Sequence, residues 1–110
     1  MRLTDLNPRW QTTHEGRRVG VNFDCPCQVC ATKPSPRDQF DPGTHDGTLK
    51  IVVAVPFKVA LDGSPWMTNG WDREGDTFDS LTLSPSIQAY DSARMPHAHG
   101  FIRNGEFVFA

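Results

Sequence analysis

The sequence predicts a mainly β protein, a small antiparallel sheet or sandwich with long loops and a C-terminal β-hairpin. Three observations carry this. Nine glycines and nine prolines in 110 residues break the chain into pieces too short for a helical bundle. Runs with two-residue alternation or β-branched composition recur along it, notably Val19–Phe23 and Ile51–Val55. Two short pairs of metal-compatible residues, Cys25-Pro26-Cys27 and His97-Ala98-His99, lie far apart in sequence on extended-looking segments. At this length, with 37% hydrophobic residues, a single core and one domain over residues 1–110 are expected.

The opening segment carries Leu3, Leu6 and Trp10 as apolar points, and Asn7-Pro8 interrupts any helix begun before it. It reads as an arm or a single turn packed on the core. From Val19 the parity sharpens: Val19, Val21, Phe23, Cys25 and Cys27 share one side, and Gly20, Asn22 and Asp24 the other. This is a strand whose inward face ends in two thiols, with Pro26 marking its limit. Cys30 follows in the next turn.

Residues 31–48 hold Lys33-Pro34-Ser35-Pro36 and Asp41-Pro42-Gly43 and read as a long loop, with His45 as a solvated loop residue and a second-rank ligand. Leu49–Val55 is almost continuously apolar, the pattern of a strand covered on both faces, and Pro56 ends it. Asp62-Gly63-Ser64-Pro65 makes a turn, and Trp66 and Trp71 beyond it read as a hydrophobic lid. Asp72–Asp76 reads as a charged turn, Thr77–Leu83 as a strand closed by Ser84-Pro85-Ser86, and Gln88–Met95 as loop.

The last segment supports the most specific expectation. Asn104-Gly105 between two apolar runs is the signature of a two-residue type I′ hairpin. Its register opposes Arg103 to Glu106, Ile102 to Phe107 and Phe101 to Val108, and brings His99 near Ala110. His97, His99 and Phe101 then share the face opposite Ile102 and Phe107.

Three cysteines within six residues suit a metal site in a reducing compartment better than a disulfide framework. Thiolate and imidazole together favour zinc. Cys25, Cys27, His97 and His99 are the expected tetrahedral set, with Cys30 as replacement for either histidine. Such a structural site contributes about 10–16 kcal/mol of apparent binding free energy in small peptides, enough to decide whether a chain of this size folds. The bland alternatives are three small buried hydrophobes and two solvated histidines.

A formal charge of −2 gives no global attraction to phosphate backbones, so a nucleic-acid binder using Arg9, Arg17, Arg18 and exposed Trp ranks last. No run approaches a membrane span, and no signal-peptide core is visible at the start, so a soluble cytoplasmic protein is expected. Phosphate-loop, Ser-His-Asp and H-E-x-x-H patterns are missing from the sequence. A metal-dependent hydrolase or nuclease, with Asp24 or Glu106 as acid or base, is the second reading.

Four segments resemble one family. They are Phe23-Asp24-Cys25-Pro26-Cys27, Val55-Pro56-Phe57 with Leu61-Asp62-Gly63, Gly75–Ile87 with its L-T-L-S-P-S-I run, and His99-Gly100-Phe101-Ile102-Arg103-Asn104-Gly105-Glu106. Together they are similar to small, uncharacterised, zinc-binding β domains found in bacteriophage and prophage genomes, over nearly the whole chain. Cys30 and the loop after it depart from that family's pattern. The resemblance implies phage origin and a metal-stabilised β fold but no reaction, and with phage origin the cytoplasm expected above is that of a host cell. With the acidic balance and the long loop, the resemblance leads to a protein-binding module whose partner is a host or phage protein, with inhibition of a host or defence complex as the expected role.

Overall fold

A computed structural model of the chain describes residues 1–35, 49–91 and 93–110. The fold is mainly β and consists of two antiparallel sheets, β1-β2-β3 and β4-β5-β6-β7. The first contains β1 (Arg9–Thr12), β2 (Arg18–Asp24) and β3 (Val52–Pro56). The second contains β4 (Asp72–Glu74), β5 (Thr82–Tyr90), β6 (Pro96–Arg103) and β7 (Glu106–Phe109). One turn of helix, α1 (Gln28–Ala31), follows β2.

The core is the surface that both sheets share. Val21 and Phe23 pair with Val55 and Val53 across β2 and β3, which puts all four on one face. Leu83, Ile87, Ala98, Ile102 and Phe107 of the second sheet join the same buried cluster. Phe23 and Phe107 meet across the sheets with ring centroids 6.0 Å apart. The arm behaves as its sequence requires: Leu3–Leu6 forms one 3-10 turn with both leucines buried, and it stops where Asn7 takes a left-handed φ of 49°. Leu3 N–H donates to Gly105 O at 2.8 Å and Phe107 N–H to Met1 O at 2.7 Å, so the arm also covers the outer edge of β7.

The C-terminal hairpin has the expected register, Arg103 opposite Glu106, Ile102 opposite Phe107 and Phe101 opposite Val108. Asn104 and Gly105 take φ values of 51° and 78°, the left-handed pair a type I′ turn needs. Ala110 N–H donates to His99 O at 2.9 Å.

Several sequence expectations require correction. Residues 49–55 do not form a strand covered on both faces: β3 starts at Val52, and Val53 and Val55 are buried while Ala54 is exposed. Asp72–Glu74 is not turn but β4, because its backbone completes the edge of β5. Thr77–Ser80 is the turn instead, with Ser80 Oγ accepting from Thr77 N–H at 3.3 Å.

The largest correction is β5, which runs through Ser84-Pro85-Ser86 to Tyr90 where the sequence suggested a stop and a loop. Proline lacks an N–H and should be excluded from a strand between two neighbours. Pro85 escapes this limit by its position. β4 pairs no further than Ser84, and the register with β6 skips from Leu83 to Ile87, so neither neighbour asks Pro85 for a donor. The Ser84–Pro85 peptide is cis. Of the expected loop at 31–48, Ala31 closes α1 and Thr32–Ser35 is irregular; residues 36–48, His45 among them, lie outside the described residues.

Candidate metal centre

The site forms where the end of the first sheet meets the start of β6. Cys25 N–H still donates to Ile51 O at 2.9 Å, so the chain remains extended one residue past β2 and buries the Cys25 side chain at 1% exposure. Pro26 prevents the strand from continuing as a paired one, and Cys27, extended at φ −70° and ψ 161°, becomes the N-cap of α1. One helical turn then brings Cys30 onto the same side as Cys27, with Cys30 N–H donating to Cys27 O at 3.1 Å. Lys50 Nζ donates to Cys30 O at 2.6 Å and fixes the turn from the other side.

The fourth member comes from the other sheet. His97 Nδ1 lies 3.3 Å from Cys27 Sγ and 3.8 Å from Cys30 Sγ. The ligand atoms of Cys25, Cys27, Cys30 and His97 all fall within 4.8 Å of one another, and the three thiols are free of disulfides. A tetrahedral ion with metal–sulfur distances of about 2.3 Å separates its ligand atoms by about 3.8 Å. The group therefore matches a single metal ion with little movement of any side chain.

Four of the five residues expected from the sequence are together, and His99 stands apart. Successive same-side positions on a strand are about 6.8 Å apart, so His97 and His99 reach one ion only if their side chains lean toward each other. Here Cys30 already completes the set beside His97, and His99, exposed, places its Nε2 3.2 Å from Ser86 Oγ on β5. The proposed acids are engaged elsewhere: Asp24 binds Arg9 Nη1 at 3.1 Å and accepts from Ser35 Oγ at 2.5 Å, and Glu106 pairs with the N-terminal ammonium at 3.4 Å.

The protonation states follow from burial and contact. Burial pushes the Cys25 thiol up to about 12 and also raises Cys30. Burial acts the same way on Cys27, but hydrogen bonds from His97 and from the Cys30 backbone outweigh it and bring Cys27 down to about 7. For His97, burial disfavours the charged ring, yet its bonds to Cys27 and Asp91 prevail and raise it. Without metal, contact thus draws Cys27 and His97, on the outer side of the group, toward their charged forms, and burial draws Cys25 and Cys30, on the inner side, toward neutral thiols.

Sequence reasoning missed Asp91. Its Oδ2 lies 3.2 Å from His97 Nε2. A carboxylate six residues before a histidine ligand has no fixed spacing rule, and the hairpin that joins them was read as loop.

No family model, curated protein or solved structure matches this chain. Among the described residues, no helix is long and apolar enough to cross a membrane.

Proposed function

We propose that the chain is a zinc-stabilised protein-binding module. The observation that carries this is the group of three thiols, from the segment that leaves β2 and turns into α1, and one imidazole from β6 of the other sheet. Three soft thiolates and an imidazole in a tetrahedral arrangement suit zinc, and four protein ligands leave it no open position. Zinc held there supplies a cross-link between the sheets and not a Lewis acid for substrate. Cys25 and Cys30, at 1% and 0% exposure, close the inner side of the site, so a substrate has no approach from there.

Binding is supported by the rim of the site. Val29, between Cys27 and Cys30, is 60% exposed, and Tyr90 and Met95, on the hairpin that carries Asp91 and His97, are 58% and 60% exposed. Apolar side chains this exposed beside a rigid centre suit docking on another protein. Nucleic-acid binding has less support, because Arg9 is buried on Asp24, and Arg17 is held by Asp62 and lies against the Trp66 ring. The phage origin, and a host or defence complex as the partner, rest on the sequence resemblance.

The test compares immobilised wild type with Tyr90→Ser and Met95→Asp variants that keep their zinc and fold. A protein retained by wild type and released by both variants supports docking at the rim. Equal retention by all three refutes it. Hydrolysis of a phosphodiester or peptide substrate by the zinc-loaded chain, lost on metal exchange without unfolding, would establish the catalytic reading instead.

A further inference from the structure

We propose that Asp91 is a positioning residue of the metal centre, holding His97 in the tautomer that offers Nδ1 to the ion. The inference rests on the zinc reading above and extends it to the residue that orients the ligand.

The two carboxylate oxygens of Asp91 have separate tasks. Oδ1 accepts the backbone N–H groups of Ala93 and Met95, each at 2.9 Å, and so shapes the tip of the β5–β6 hairpin. The backbone secures the same tip, with Asp91 N–H donating to Met95 O at 3.1 Å and Arg94 N–H to Asp91 O at 2.9 Å. Oδ2 is left facing His97 Nε2 at 3.2 Å.

An ionised carboxylate only accepts hydrogen bonds, so Nε2 must carry the proton of that contact. A neutral imidazole has one N–H, and the lone pair therefore resides on Nδ1, the atom 3.3 Å from Cys27 Sγ. His97 is 11% exposed at its side chain, which leaves the ring little room to turn. Ligand, orienting carboxylate and hairpin tip thus form one unit, and the loop that shapes the tip also sets the metal affinity.

Asp91→Asn separates the tasks. The amide oxygen can keep the Ala93 and Met95 bonds, but the NH2 group then faces Nε2, which must accept, and the ring proton moves to Nδ1 where the metal binds. Zinc affinity, measured by competition with a chromogenic chelator, should fall about 10–100-fold while far-UV circular dichroism at saturating zinc is unchanged. Nitrogen-15 shifts of the His97 ring should report Nε2–H in wild type and loss of that tautomer preference in the variant.

Equal affinity and an equal ring tautomer in the two proteins would overturn the proposal and leave the zinc site standing. A wild type that takes up no zinc would remove the zinc reading, and this inference with it. If Asp91→Asn does not fold, the zinc-loaded wild type decides alone: a ring that carries its proton on Nδ1 and meets the metal through Nε2 overturns the inference, and one that carries its proton on Nε2 supports it.

Discussion

Removing the metal should cost this protein a large share of its stability, and the amount can be worked from the chain. Cys30 and His97 are 67 residues apart in sequence, and a single ion held by the group would join them. Treated as a single cross-link, closing a loop of that length withdraws about 4 kcal/mol of conformational entropy from the unfolded state. Domains of this size are stable by about 5–15 kcal/mol in total, so the loss is a large fraction of the whole. At about 4 °C per kcal/mol, the melting temperature should drop by about 16 °C. The assay is urea and thermal denaturation of zinc-loaded protein against protein depleted with a strong chelator, with residual metal measured in each sample. A His97→Ala variant serves as control, since chelator should shift it much less than wild type. Coincident curves for loaded and fully depleted wild type would refute the cross-link argument, because two sheets tied by an ion cannot lose it without consequence.

Further expectations separate the members of the site and the supports around it. His99→Ala should leave zinc content and affinity unchanged and stability within about 0.5 kcal/mol, because His99 is an exposed partner of Ser86, as zinc titration and melting will show. Zinc affinity should rise with pH: Cys25, pushed up to about 12, and Cys30, also raised, hold protons at neutral pH that the metal must displace. Calorimetry in buffers of different ionisation enthalpy should find about two or more protons released per zinc near pH 8, and a value near zero would contradict the assignment of those thiols as ligands. Gly105→Ala should destabilise by at least about 1–2 kcal/mol in urea melts, since φ is 78° and the added methyl would collide with Asp79 O. Phe23→Ala should cost about 3–5 kcal/mol by the same measurement, as Phe23 is fully buried against Phe107 of the opposite sheet.

The parts of this fold that were legible in sequence are those written in local patterns. Asn104-Gly105 fixed a turn whose two left-handed residues leave one pairing for the flanking strands, so the register from Phe101 to Val108 could be counted outward. The alternation of Val19, Val21 and Phe23 led to Cys25 at the inward end of β2 for a similar reason. What escaped depended on contacts between distant segments. Pro85 reads as a strand end until one knows that β4 stops at Ser84 and that β6 skips a register there. Leu49–Val55 shows seven mostly apolar residues, but whether both faces are covered is decided by what packs on them. The H-x-H pair was visible, while the choice of His97 over His99 was set by where α1 turns Cys30 toward the group. Asp91 carried no signal, since its role exists only once the β5–β6 hairpin folds its carboxylate back on the ring.

The measurement that reaches the centre of this account is zinc-edge X-ray absorption on protein of known metal content. We expect one zinc per chain, with a first shell of three sulfurs at about 2.3 Å and one nitrogen at about 2.0 Å. A shell with two nitrogens and two sulfurs would return His99 to the site at the expense of a cysteine, and protein that folds fully with no stoichiometric metal would contradict the account altogether.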